Sequence, residues 1–243
     1  MIENHLEANR KQVFLTELGL IDYKAAWDIQ QAAFDNSVAI KLARKANDQI
    51  ELPKNYLYIC EHPHVYTLGK SGSEDHLLLK ADELYSRSID FYHSNRGGDI
   101  TYHGLGQIVG YPIIDLDQFS ADIKVYMRSL EEVIIRTIAE YGLKGERVEG
   151  ATGVWLDKGK PNERKICAFG VKTSRWITMH GWALNVNTDL SYFSYIVPCG
   201  IADKGVTSLQ KELGHELDIN EVKEKILKHF EIVFDTKIIK EDA

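Results

Sequence analysis

The run GVWLDKGKPNERKICAFGVKTSRWITMHGWALNV, residues 153–186, decides the fold. It breaks into three apolar stretches rich in β-branched and aromatic residues: Gly153 to Leu156, Ile166 to Lys172 and Ile177 to Val186. Each is strand-like in length and composition. Lys158-Gly159-Lys160-Pro161-Asn162, between the first two, is turn chemistry. Upstream, Tyr56 to Cys60, His64 to Leu68 and Ser88 to His93 read as further strands, and a glycine-rich segment from Arg96 to Gly110 leads into the apolar run Tyr111 to Leu116. Helical periodicity flanks this region. Over 22–46, Tyr23, Ala26, Trp27, Ala33, Phe34, Val38 and Leu42 recur three, four or seven apart, with Asp22 placed to cap. The stretch 47–55, containing Pro53, reads as a loop. A second helix is expected over 121–141, with Val125, Leu130, Val133, Ile134, Ile138 and Tyr141 on its apolar side and Gly142 as its stop. Asp218 and Glu221 have capping-box spacing ahead of Val222, Ile226, Phe230 and Val233. Helices bracketing a strand-rich middle imply an α+β fold, a mixed or antiparallel sheet flanked by helices, rather than a regular βαβ series.

The chain has 243 residues, a formal charge of −7, 44% hydrophobic and 27% charged residues. That is globular composition. The acidic balance argues against a bulk grip on nucleic acid or an anionic membrane. No apolar run approaches the ~18–20 residues of a membrane span, and the polar start Met1 to Glu7 has no signal-peptide core. Cys60, Cys167 and Cys199 are too few and too scattered for a disulfide framework. A cytoplasmic protein with reduced thiols is expected. Residues 207–243 read as either the end of one domain or a small appended lobe, with no flexible linker at the boundary.

Several motif signals fail. Gly69-Lys70-Ser71 ends like a P-loop, but His64 stands where the first glycine belongs. Gly104, Gly106 and Gly110 miss the dinucleotide spacing by one place, and no G-x-S-x-G occurs. Cys60, His62 and His64 alternate as metal ligands on a strand would. Pro63 interrupts them and no fourth ligand sits at a typical spacing, so core packing is the expectation and no metal is assigned.

Four clusters remain. Arg96-Gly97-Gly98-Asp99-Ile100-Thr101-Tyr102-His103 opens a run whose glycines let backbone approach a ligand, with Arg96, Tyr102 and His103 as polar rim; the alternative is a tight hairpin around a buried histidine. Cys199 lies between Pro198 and Gly200, a turn context that can expose a thiol, although free cysteines are usually buried. Lys165 begins an otherwise apolar strand, either partly buried or at a solvated strand end. His180 sits inside the strand-like run through Gly181, Trp182 and Ala183.

These segments together resemble the lipoyl(octanoyl) transferase family. The matching pieces are Glu61-His62-Pro63 with Val65 to Gly69, the Arg96 to Gln107 run, Val109 to Pro112, Lys165-Ile166 with Gly170, His180-Gly181 with Ala183 to Val186, and Pro198-Cys199-Gly200. They stand in the family's order over about residues 17–210, leaving a helical tail at 211–243 of a single catalytic domain. The resemblance implies a fold shared with the catalytic domains of biotin protein ligases and lipoate ligases. It implies that Cys199 carries an acyl thioester with Lys165 as its partner. It also implies that Arg96 to His103, Ala168-Phe169-Gly170 and Gly181-Trp182-Ala183 line the acyl pocket, with His180 beside them. The donor it implies is octanoyl-acyl carrier protein. The acceptors are lipoyl domains of 2-oxoacid dehydrogenase complexes or the glycine cleavage H protein. No cofactor, nucleic acid or membrane is expected, and a monomer is. Leu105 departs from the family's usual proline and Cys167 from a usual small residue. Cys167, two places from Lys165, is expected on the same face of the strand, which makes it a conceivable competing thiol. Docking of acidic protein substrates would need a local basic patch, for which Arg164, Lys172 and Arg175 are candidates; the alternative is that they are merely solvated. The rival readings are an ATP-dependent ligase, a thioesterase and a non-catalytic acyl-binding protein.

Overall fold

Two central strands are buried along their whole length and organise everything else: Gln107–Ile113 and Ile177–Asn185. Strands covered on both faces read as near-continuous apolar runs, as these do. The computed structural model describes residues 11–197 and 205–241. In chain order the strands are β1 (Lys11–Leu20), β2 (Asn55–Glu61), β3 (Val65–Leu68), β4 (Asp90–His93), β5 (Ile100–His103), β6 (Gln107–Ile113), β7 (Glu146–Val148), β8 (Ala151–Leu156), β9 (Arg164–Ser174), β10 (Ile177–Asn185), β11 (Gly205–Val206) and β12 (Thr236–Lys240). The α-helices are α1 (Tyr23–Arg44), α2 (Ala81–Ser86), α3 (Ile123–Ala139), α4 (Leu209–Leu213) and α5 (Ile219–Phe234).

Among the described residues, nine strands form the main sheet in the order β12-β1-β2-β6-β10-β9-β8-β7, with β11 beside β9. The pairs β1–β12, β1–β2 and β9–β11 are parallel and the rest antiparallel, so the sheet is mixed. A second sheet, β4-β3-β5, stands beside it. The glycine-rich segment is therefore neither one loop nor a hairpin. Its two strands part company: β5 pairs with β3 in the small sheet, while β6 pairs with β2 and β10 in the large one.

The three long helices each start on an aspartate cap that satisfies amide groups lacking a helical partner. Asp22 accepts from Ala25 N at 3.1 Å, Asp122 from Lys124 N at 2.7 Å and Asp218 from Asn220 N at 2.8 Å. α1 buries Tyr23, Ala26, Gln30, Phe34 and Ser37, a stripe at helical spacing, against one face of the sheet. Leu42 and Val125, expected on the apolar faces, are substantially exposed. α3 and α5 pack on each other against the opposite face, and Phe230 and Phe234 enter the same core as Trp182 and Leu184. β12 continues from α5 onto the edge of β1. The C-terminal helix and strand are thus built into the main sheet and its core. No helix among the described residues is long and apolar enough to cross a membrane.

Candidate active site

A cavity of about 440 Å³ lies against the α1-facing side of the sheet. That is within the usual range for small-molecule sites. Its floor follows from strand alternation. Ala168 pairs with Ala183 and Gly170 with Gly181, so small side chains leave a shallow, largely apolar trough across β9 and β10. Phe169 and Trp182 pack into the core beneath α3 and α5, and both also border the cavity. The roof is the turn Arg96–Asp99, drawn down by Gly97 N donating to Val171 O at 2.9 Å. A Cβ on Gly170 would stand 2.9 Å from the Gly97 carbonyl oxygen, so only glycine allows this approach.

Most expected pocket residues meet here: Arg96, Gly97, Gly98, Asp99, Ile100, Thr101, His103, Lys165, Ala168, Phe169, Gly170, His180, Gly181, Trp182 and Ala183 all border the cavity. Tyr102 does not. Alternation along β5 turns it away from Thr101 and His103 into the small sheet's core, where its hydroxyl pairs with His64 Nδ1 at 2.7 Å and its ring stacks on Tyr192. Arg96 is largely committed to structure, donating to Thr67 O at 2.5 Å, to Thr67 Oγ1 at 2.9 Å and to Gly97 O at 3.1 Å. Asp99 accepts from its neighbour Ile100 N at 2.7 Å. Its other oxygen lies 2.6 Å from His76 Nδ1, off the line of a good hydrogen bond. Cys199 lies outside the described residues.

Lys165 reaches the cavity because β9 carries a bulge. Val154 pairs with Cys167 but Trp155 pairs with Lys165, so one extra residue is inserted between them. A bulge inverts side assignment locally. Lys165 therefore joins the face of Trp155, and its Nζ lies 4.7 Å from that ring's centroid. Cys167 turns into the opposite core, fully buried. This corrects the expectation that Lys165 and Cys167 share a face. Burial also pushes the Cys167 thiol well up in pKa, and Cys60 likewise, so neither described thiol is a ready nucleophile.

Behind the floor runs a buried relay that pattern reading missed. Asn185 Nδ2 donates to Thr207 O at 3.0 Å, and Gln107 Nε2 donates to Asn185 Oδ1 at 2.9 Å and to Tyr102 O at 3.2 Å. Carbonyls only accept, so both amides have one orientation. Gln107 Oε1, 2.8 Å from His103 Nδ1, must then receive a proton from it. His103 consequently faces the cavity with Nε2 as an acceptor. Burial first, then the nearby His62, pulls its pKa down to about 3, so it is neutral. Thr207 N completes the chain by donating to Lys165 O at 2.9 Å.

His180 is held at φ +59°, a strained value for a non-glycine residue. Gln30 Oε1 accepts its backbone N–H at 3.2 Å, and its Nε2 donates to Asn95 Oδ1 at 2.6 Å. Burial pulls its pKa to about 3 as well. Tyr23, read from sequence as part of a helix's apolar stripe, and Tyr111, of the matching Val109–Pro112 segment, also line this end. His62 donates from Nδ1 to Ile21 O and accepts from the Tyr111 hydroxyl, both at 2.7 Å, while Cys60 Sγ lies 3.5 Å away. That triad is a buried hydrogen-bonded cluster. Arg164 does not join Lys172 and Arg175 in one basic patch. Arg164 is clamped by Glu212 at 2.5 Å and Asp157 at 2.6 Å, and Lys172 sits about 26 Å further along β9, eight residues at a strand rise of ~3.3 Å.

The chain matches the family model of the lipoyl protein ligase A/B catalytic domain over residues 22–231. It is 56% identical over 230 residues to the octanoyltransferase of Christiangramia forsetii, covering 94% of this chain and 98% of that one. The chain belongs to this family. It is 56% identical to the octanoyltransferase of Flavobacterium psychrophilum over 94% of this chain and 99% of that one, and 52% identical to that of Bacteroides thetaiotaomicron over 87% and 91%. It is accordingly an acyltransferase of the lipoyl protein ligase A/B family. Among solved structures, the bi-partite lipoate protein ligase of Thermoplasma acidophilum superposes with a TM-score of 0.69 at 17% identity, covering 96% of this chain and 87% of that one. A lipoate-protein ligase A bound with ATP gives 0.69 at 16%, covering 96% and 89%. At such identities the likeness is one of fold.

Proposed function

We propose that this protein transfers an octanoyl group from acyl carrier protein to a lysine of a lipoyl domain, through a thioester on Cys199. The observation that carries the reading is how the chain is tethered on either side of that cysteine. Before it, Val197 N donates to His76 O at 2.8 Å and Leu78 N to Tyr195 O at 2.9 Å. After it, Gly205 and Val206 pair with Arg164 and Lys165, and Val206 borders the cavity. Lys165 and the trough of small residues border one cavity, and so do Phe193, before the cysteine, and Gly205 and Val206, after it.

The chemistry follows from these groups. Lys165 takes the Cys199 proton, and its ammonium favours the thiolate. The thiolate attacks the donor thioester, the carrier's sulfur leaves, and Lys165 returns the proton to it. The neutral amine of the acceptor lysine then attacks the acyl-enzyme, an amide bond forms, Cys199 leaves, and the amine's proton passes through Lys165 to the sulfur. Thioester exchange is nearly balanced, so no ATP or other cofactor enters. Burying the alkyl chain along the Ala168–Gly170 and Gly181–Ala183 trough contributes ~0.8 kcal/mol per methylene.

Intact mass after mixing the protein with octanoyl-acyl carrier protein, without ATP or acceptor, tests this. The expected result is a gain of one octanoyl unit, absent in Cys199→Ala and discharged by a lipoyl domain. Transfer that demands free octanoate and ATP and survives Cys199→Ala would replace this reading with a ligase.

A further inference from the structure

Gly153 sits in β8 where a side chain would crowd the stem of Lys165 and displace it. A Cβ built there would stand 3.0 Å from Lys165 Cε, 3.2 Å from its Cδ and 3.0 Å from the Cys167 carbonyl oxygen. Its φ of +146° is one that side chains rarely adopt. A glycine inside a strand marks a bulge or a close approach, and here it faces the bulge that turns Lys165 into the cavity. Two places on, Trp155 offers its ring to the Lys165 ammonium at 4.7 Å, an arrangement that favours the charged form. The ring is fixed by Trp155 Nε1 donating to Ala151 O at 3.0 Å.

The strand itself is anchored from behind. Gly153 N donates to Glu131 Oε1 at 3.2 Å, and Glu131, almost fully buried on α3, accepts at its other oxygen from Arg128 at 2.7 Å and Arg147 at 3.1 Å. One carboxylate thus ties α3, β7 and β8 together at the point over which the lysine passes.

We infer that Gly153 and Trp155, anchored by Glu131, are positioning residues that aim the Lys165 ammonium and so set the reactivity of the Cys199 thiol; this rests on the pairing of Lys165 with Cys199 proposed above. The glycine leaves a path for the stem, and the indole holds the head group against its face. Gly153 carries no side chain, so it acts through Lys165; Trp155 also borders the cavity, and its effect through Lys165 is the part read in the thiol profile.

The test is the rate of Cys199 alkylation by iodoacetamide against pH, together with kcat and KM for octanoyl-acyl carrier protein. It uses wild type, Gly153→Ala, Trp155→Leu and Lys165→Met, with Cys199→Ala as the blank for the two buried thiols. Lys165→Met is expected to raise the apparent thiol pKa towards ~8.5. Gly153→Ala and Trp155→Leu are expected to move it the same way by about one unit, slowing alkylation at pH 7 about tenfold. Their kcat falls at least about tenfold while donor KM stays within about twofold. Adding Gly153→Ala to Lys165→Met is expected to shift the profile no further. A wild-type profile in the folded Gly153→Ala and Trp155→Leu proteins, alongside a shifted Lys165→Met, overturns the positioning role and leaves the Lys165–Cys199 pairing standing. An unshifted Lys165→Met profile overturns the pairing, and the inference with it. Should Gly153→Ala not fold, Trp155→Leu decides by the same readout.

Discussion

Replacing Asn185 by leucine cuts the relay behind the cavity without opening a void, because the two side chains are close in volume. In the folded protein Asn185 serves two buried neighbours. It donates to the Thr207 carbonyl at 3.0 Å and accepts from Gln107 Nε2 at 2.9 Å. Thr207 is fully buried and Gln107 is 1% exposed, so no solvent replaces either partner. Each orphaned buried group costs about 1–3 kcal/mol, giving roughly 2–5 kcal/mol for Asn185→Leu after modest relaxation. For a chain of this size that is a fall in Tm of roughly 5–15 °C. Urea unfolding should show a lower midpoint with an unchanged slope. Gln107→Leu removes the partner instead, and the double variant should be less destabilised than the sum by about 1 kcal/mol or more, because the unmade bond is then counted once. A loss below about 0.5 kcal/mol for Asn185→Leu, or strict additivity in the cycle, would show that the relay is geometry without energy. The argument for the His103 tautomer would go with it.

Acid should weaken the fold through His103 and His180. Both are held near pKa 3 by burial against 6.5 unfolded, so the unfolded chain binds the extra protons as pH falls below 6.5. Stability then drops by about 2 kcal/mol for each histidine between pH 7 and 5, and buried His62 adds in the same direction; a flat urea midpoint over that range would contradict it. Phe230, with no exposed surface and its ring 4.4 Å from that of Phe234, should cost about 3–5 kcal/mol as Phe230→Ala, measured by thermal unfolding. A loss under ~1 kcal/mol would mean that α5 is peripheral to the core. Native protein treated with a thiol reagent should lose reactivity entirely in Cys199→Ala, since Cys60 and Cys167 are buried with raised pKa values; residual labelling mapped to either would refute that.

What could be read from the amino acids alone depended on the distance over which each feature is encoded. Helix periodicity and capping aspartates are local, and α1, α3 and α5 fall where Asp22, Asp122 and Asp218 can accept amide protons. The cavity wall was legible chiefly through the family resemblance, whose matching segments are contiguous runs; most of Arg96–His103, and Ala168–Gly170 and His180–Ala183, border the cavity. Pairing across the chain was not legible. Nothing near Lys11–Leu15 announces that it pairs with Thr236–Lys240. Facing was harder still, since one inserted residue reverses it. Simple alternation puts Lys165 and Cys167 together, and the bulge opposite Val154 and Trp155 separates them. The same step is what delivers an ammonium to the cavity while sending a thiol into the core. A one-residue irregularity in β9 therefore decides which of these side chains borders the cavity, and the space for it lies on the neighbouring strand. There Gly153 has no Cβ to obstruct the lysine stem, and Glu131 on a distant helix holds it in place. Alternation and spacing carry no trace of that arrangement, because it is specified by three segments that meet only after folding.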